Sequence, residues 1–346
     1  MGLGRGSEIH ARKNRRANVI LIALGVIVIA LAIFSFLVGR YPISPDKVVG
    51  MLAGQIAPID AFWTDQEATI LFNVRLPRVV LALLVGCCLA SAGAAYQGTF
   101  QNPLVSPDIL GASQGAAFGA ALAILLGLGS FGISALAFGF AILTVMLVVV
   151  VAQAARGNQV LTVVLAGVMV SSLFSAGVSF TKLIADPTDQ LPAITYWLMG
   201  SLTGAKLADI TLAAPPMALG LIALFVLRWR INILTMGDEE ASTMGVNTKR
   251  LRMVIIVAAT LVTAASVAVT GMIGWVGLVI PHLSRMLIGS DYRKLMPASM
   301  LMGAGFLLLV DDVSRLLTTA EIPIGILTAF IGAPFFLYLI TREGRK

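Results

Sequence analysis

The sequence predicts an all-α polytopic membrane protein of about ten transmembrane helices, and three observations predict it. The first is composition: of 346 residues 58% are hydrophobic and 12% charged, with mean hydropathy +0.95, whereas ordinary domains are about 25% charged. The second is that the apolar runs are continuous rather than alternating, which disfavours a transmembrane barrel. Helices remain, because in lipid they satisfy their own backbone groups. The third is that basic residues collect on one side of the resulting layout.

Residues 1–18 hold Arg5, Arg12, Lys13, Arg15 and Arg16 and read as a cytoplasmic basic tail. The apolar run from Val19 to Gly39 is too long for a signal peptide and no Ala-x-Ala site follows, so it is a first span with its N-terminus inside. Residues 40–74, with Pro42, Pro45 and Pro58, form an outer loop. Further spans fall at about 76–100, 108–128, 132–154, 160–183, 207–227, 252–272, 273–288, 296–314 and 322–341. Each approaches the roughly 20 residues that cross a hydrocarbon core. The eighth is short and separated from the seventh only by Gly271 and Gly274, so it is tilted or does not cross fully. Residues 19–341 thus make one transmembrane domain, followed by a short cytoplasmic tail at 342–346.

With both ends inside, 17 of the 24 basic residues lie on inner segments, and most acids lie outside. That asymmetry follows the positive-inside rule. It also accounts for the net charge of +7 without nucleic acid. Cys87 and Cys88 are adjacent in an apolar run, with no second pair to make a metal site, and read as small packing residues.

The one long polar stretch between spans, Arg228 to Arg252, falls in the cytoplasm and carries five basic residues and the consecutive acids Asp238, Glu239 and Glu240. Gly237 and Gly245 can each end a short helix, since glycine takes a left-handed C-cap without steric cost. Asp238 stands where an N-cap belongs, with Glu239 and Glu240 in a first turn favoured by the helix dipole. Two short surface helices joined at Gly237 are expected. At a spacing of 174, Arg78, Leu104, Val105 and Pro107 fall on Arg252, Leu278, Val279 and Pro281, a faint internal repeat whose halves would be inverted.

Four stretches have the residues for chemistry or close packing. Arg75-Leu-Pro-Arg78 stands at the outer end of the second span, and Arg315 lies one turn after Asp311 at the outer end of the ninth. An arginine at mid-bilayer costs roughly 2.5–3.5 kcal/mol or more, so these sit at the interface or in a protein-lined cavity. They either snorkel or dock an acidic partner; exposed pairs worth about 0.2–1 kcal/mol each would steer more than hold. In residues 101–119 a double-proline break leads into Gly111, Gly115 and Gly119, the small-xxx-small pattern of close helix approach. Gly111-Ala-Ser-Gln-Gly115 formally matches G-x-S-x-G, but no strand precedes it. A Ser113–His282 dyad is the alternative this leaves open. Residues 271–285 are glycine-spaced around Pro281, with His282 read as interfacial rather than as ligand or proton carrier. Residues 320–334 again pair prolines with glycines, at Pro323, Gly325, Gly332 and Pro334. No G-x-x-x-x-G-K-[ST] loop is present to cradle ATP, and mid-membrane acids suited to a proton relay are scarce, so energy has to enter from a partner.

Arg75-Leu-Pro-Arg78, Asn102-Pro-Leu-Val-Ser-Pro-Asp-Ile-Leu-Gly111, Tyr196-Trp-Leu-Met-Gly200, Gly277-Leu-Val-Ile-Pro-His282 and Glu321-Ile-Pro-Ile-Gly325 together resemble the FecCD-type permeases. These are membrane subunits of ABC importers for iron–siderophore, haem and cobalamin. The resemblance runs from about residue 40 to 341. It implies ten helices per subunit in the bacterial cytoplasmic membrane, and a dimer with the same or a related permease. It also implies two cytoplasmic ATPases that hold the ATP and Mg, an outer substrate-binding protein, and no cofactor, metal or catalytic residue in this chain. Arg75, Arg78 and Arg315 match arginines that pair with acids on the binding protein. The stretch Leu234–Val246 matches the coupling helices seated in the ATPase cleft, with Leu234, Met236, Gly237, Asp238, Glu239, Glu240, Ala241, Met244 and Gly245 as its working residues. Its Glu240-Ala-x-x-x-Gly245 echoes the wider importer loop. Asn158, Gln159, Val160, Leu161 and Thr162 match the inner gate, although Gln159, Val160 and Leu161 depart from the small hydroxyl residues of a relative. Two other classes share parts of the pattern: an ion-coupled secondary transporter with inverted repeats, and an intramembrane serine protease that would need Ser113.

Overall fold

A computed structural model describes residues 3–154, 159–318 and 320–343, with side chains for 14–154, 160–318, 320–338 and 341. Ten helices stand where the ten spans were expected. In chain order they are α1 (Leu3–Leu37), α4 (Leu76–Thr99), α5 (Ala112–Leu125), α6 (Ser130–Ala154), α7 (Gln159–Ile184), α9 (Leu207–Leu234), α11 (Thr248–Thr270), α12 (Val276–Ile288), α13 (Tyr292–Leu317) and α14 (Ile324–Glu343). Between them lie the short helices α2 (Pro45–Ala53), α3 (Asp65–Thr69), α8 (Gln190–Leu198) and α10 (Asp238–Thr243). Six of the ten are long and apolar enough to cross a membrane, and α5, α12 and the first part of α14 are shorter apolar helices.

The helices α4 and α11 form the middle of the bundle. Their most apolar stretches are 78% and 72% buried inside the chain, against 6% for α1. The reason is side-chain size: both are rich in Gly, Ala, Ser and Thr. Small residues let helices approach closely where lipid supplies no hydrophobic drive for association. A Cβ on Gly93 of α4 would lie 1.8 Å from the carbonyl oxygen of Gly277 on α12, so that contact excludes any side chain.

Two helices are of half length. At 1.5 Å per residue, α5 and α12 span about 21 and 20 Å, short of the roughly 30 Å hydrocarbon core. Each follows a re-entrant segment, residues 100–111 before α5 and 271–275 before α12. The order long, long, half, long, long therefore occurs twice. The ends of α4 and α9 share one side of the molecule with the starts of α11 and α13, as the bonds Gln101–Leu234, Asn232–Asp291 and Arg252–Asp238 show. Hence α4 and α11 run in opposite directions, and the halves are inverted. The 174 offset aligns this pair only. Pro107 precedes α5 whereas Pro281 lies inside α12, so the Leu104, Val105 and Pro107 matches are not equivalent in space.

The outer loop is more ordered than its prolines suggested. α2 packs there, and α3 runs into α4 through a wide turn of π-helix at Ile70–Arg75. Pro77 explains the wide turn: it has no N–H to give and its ring crowds the carbonyl four residues back. Thr64 caps α3 in a reciprocal box with Glu67.

Candidate functional site

On the inner face α9 continues to Leu234 without a break, so one short helix, α10, stands where two were expected. Gly237, at φ +116°, is the N-cap, and Asp238 is the first helical residue rather than the cap. Freed from capping, the Asp238 carboxylate accepts from Nη2 of Arg252 on α11 at 2.8 Å. Arg252 is itself 3% exposed. The far end closes in a Schellman turn: Val246 N–H donates to Ala241 O at 3.2 Å and Gly245, at φ +77°, to Ser242 O at 3.0 Å. Asn247 then caps α11 by accepting from Arg250 N–H. Leu234 and Ala241 are fully buried and pin this unit to the bundle. Met236 and Met244 stand out at 57% and 59% exposure, beside exposed Glu239 and Glu240. Two exposed thioethers flanking an anchored helix make an adaptable apolar contact.

Of the gate residues, Asn158 lies outside the described residues and Gln159 is described only as the start of α7. Val160 and Thr162 are half-buried, and Leu161 is exposed. Gly111, Gly115 and Gly119 lie where α5 meets its neighbours. Added Cβ atoms would strike Ser171 of α7, Thr144 of α6 and the Leu136 carbonyl of α6 at 2.5, 2.0 and 2.4 Å.

The outer arginines are all turned into the chain. Arg75 donates to the Phe36 carbonyl at 2.6 Å and to that of Tyr41, tying the end of α1 to the wide turn. Arg78 donates from Nε to both Asp311 oxygens at 2.8 and 3.0 Å, and from Nη1 to Glu321 at 2.8 Å. Arg315 pairs with Asp311 at 3.4 Å and with Asp312, and donates to Ser35 Oγ at 2.8 Å. Ser35 in turn donates to Asp312. Thr203 donates to Glu321 at 2.6 Å, so the network reaches the loop between α8 and α9. Burial pushes the Glu321 carboxyl up, but the Thr203 and Arg78 hydrogen bonds outweigh it and hold the group below its usual value. Arg78 Nη2 and Asp312 Oδ2 keep no hydrogen-bond partner. Sequence spacing revealed only the Asp311–Arg315 turn. Ser35, Thr203 and Glu321 carry no local signal, because their partners are distant in sequence.

Near the end of α4, Gln97 joins the first re-entrant segment to α12. Its Nε2 donates to Val105 O and Leu278 O, each at 3.4 Å, and its Oε1 accepts from Arg285 at 3.0 Å. The Ser113 hydroxyl donates a hydrogen bond to Asp108. Among the described residues no three imidazole, thiol or carboxylate groups gather as metal ligands.

The family model of the FecCD transport family matches residues 27–342. The molybdate import permease MolB of Haemophilus influenzae is 41% identical over 94% of this chain and 96% of its own. The cobalamin import permease BtuC of Halobacterium salinarum is 40% identical over 84% and 78%. The hemin permease HmuU of Yersinia pestis is 40% identical over 82% and 85%. A solved metal-chelate-type ABC transporter in an inward-facing conformation superposes with TM-score 0.83 at 40% identity, covering 94% of this chain and 99% of that one. A ten-helix bundle with paired half-length helices, matched over most of its length by these transporters, is a multi-pass ABC-importer permease, and the chain belongs to the FecCD transport family.

Proposed function

We propose that this chain is the permease subunit of a bacterial inner-membrane importer that carries a metal chelate of the iron–siderophore, haem or cobalamin class into the cytoplasm. It works as a dimer with a second copy or a related permease, with two ATPases that bind the ATP and Mg, and with an outer binding protein. The observation that carries this reading is α10. A six-residue helix, closed by a Schellman turn, anchored by buried Ala241 and braced by Arg252, presents Met236 and Met244 outward. A rigid stud of this kind transmits force; a loop would absorb it. Closure of the ATPases on ATP moves residues 234–246, and the two bundles rock to open the path between them.

The test replaces these two exposed methionines. Met236→Ser with Met244→Ser should leave the melting midpoint unchanged and abolish co-purification of the ATPase and its stimulation by binding protein. ATPase retained at the native stoichiometry would refute the assignment of α10. Uptake by proteoliposomes, compared across a ferric siderophore, haemin, cyanocobalamin and molybdate, then identifies the cargo.

At the outer face the arginines meet a binding protein only by exchange, since each is already committed inside the chain. Glu321 is the partner that yields. Its side chain is 21% exposed, whereas that of Asp311 is fully buried. An incoming carboxylate takes its place on Arg78, which also frees Thr203.

A further inference from the structure

Gln101 occupies a backbone position that suits glycine, and it does so at the point where α4 meets the end of α9. It is one of two non-glycine residues with positive φ among the described residues, at +51°. The surrounding bonds define a Schellman turn that ends α4: Asn102 N–H donates to Gln97 O at 3.1 Å and Gln101 N–H to Gly98 O at 3.4 Å. The left-handed residue of that motif is usually glycine, which has no Cβ to crowd the backbone. A glutamine there is held against its local preference, so the side chain should have a use.

That use is visible. Gln101 Nε2 donates to the carbonyl of Leu234, the last residue of α9, at 2.7 Å. Leu234 is fully buried and stands three residues before Gly237, where α10 is attached. On the other side, Gln101 opens the re-entrant segment of residues 100–111. That segment presses the Ile109 carbonyl against α7, where a Cβ on Gly167 would come within 2.1 Å of it. The helix α7 begins at Gln159, in the stretch matched to the inner gate. One hydrogen bond therefore joins the base of the coupling segment to the segment that bears on the gate helix. Packing around it is tight: a Cβ on neighbouring Gly98 would meet Ile231 of α9 at 2.4 Å and the Tyr292 ring at 2.7 Å.

We propose that Gln101 is a positioning residue that conveys movement of the coupling segment to the re-entrant segment, its amide holding residues 100–111 to the end of α9. The inference rests on the reading of α10 as the ATPase contact. A purely structural C-cap makes the opposite demand, because glycine would serve at least as well.

The experiment uses the full transporter, reconstituted with its ATPases and binding protein, in a Cys87→Ala, Cys88→Ala background. A nitroxide attached at Leu104→Cys, a position 56% exposed in the re-entrant segment, reports its motion between the nucleotide-free and vanadate-trapped states. In the parent the spectrum changes on trapping. Gln101→Gly should melt at or above the parent temperature, bind ATPase and hydrolyse ATP at the basal rate, yet show no spectral change and at least a tenfold loss of binding-protein stimulation. Gln101→Glu, of the same shape but unable to donate when ionised, should behave alike. Gln101→Lys and Gln101→Arg, which keep a donor, should restore at least half the response. A spectral change that survives in Gln101→Gly, a parent that shows none, or failure of both donor variants to rescue would overturn the proposal. The methionine variants test the α10 reading separately, through ATPase association alone, so the two can fail independently.

Discussion

Replacing Asp311 by alanine tests what holds the outer half of the bundle together. Asp311 is fully buried and faces two guanidinium groups whose side chains are 6% and 8% exposed. Removing one partner of a buried pair costs about 3–5 kcal/mol, because the other charge stays behind uncompensated. Here Arg78 keeps Glu321 and Arg315 keeps Asp312, so the loss belongs at the lower end, about 3 kcal/mol. Asp311→Asn keeps the volume and an acceptor for Arg78 Nε but removes the charge, and should fall between the two. The assay is built into the chain. Cys88 is fully buried and Cys87 half-buried on α4, so a thiol-reactive fluorophore reports thermal unfolding in detergent. The expected order of melting midpoints is parent, Asp311→Asn, Asp311→Ala, with Arg78→Leu plus Asp311→Leu above Asp311→Ala alone. Equal midpoints for parent and Asp311→Ala would refute the claim that this network joins α4 to α13. The same result warns that charge reversal at Arg78 damages the fold before it reports on docking.

Two further predictions concern single carboxylates. Glu321→Gln removes the charge that competes for Arg78, so affinity for the binding protein should rise and its salt dependence steepen; unchanged affinity would mean that Arg78 takes no part in docking. Asp291 caps α13, and hydrogen bonds from Arg293, with help from Asn232, hold its pKa at about 2 against an ordinary 3.8. A depressed carboxyl pKa stabilises the fold above the unfolded value, and that stabilisation disappears as pH falls through the folded one. The midpoint difference between parent and Asp291→Asn should thus be constant above about pH 5 and shrink towards pH 2; a pH-independent difference would argue against it.

The ten helices were legible because lipid leaves a chain little choice: apolar length decides them. The half length of α12 was legible too, from the glycines at 271 and 274. What sequence concealed was pairing at long range. Arg78 meets Asp311 and Glu321 across 233 and 243 residues, and no local spacing tells a snorkelling arginine from a buried one. Local rules also misplaced Asp238. Its cap propensity was real, but Gly237 supplied the required backbone and Arg252 claimed the carboxylate. The π turn ahead of Pro77 left no sign beyond the proline itself. Gln101 went unnoticed because nothing in a sequence marks a glutamine with positive φ.

The distance between Arg78 and Asp311 also sets an order of events during synthesis. At roughly 5–20 residues per second, the ribosome completes α4 well before α13 emerges, a delay of roughly 10–50 s. Through that interval Arg78 has no acid of α13 beside it, and water at the outer surface must hold its charge. The outer end of α4 therefore stays at the membrane border until the ninth span is threaded in beside it. Only then does the lock shut, and a chain truncated before Tyr292 leaves it open.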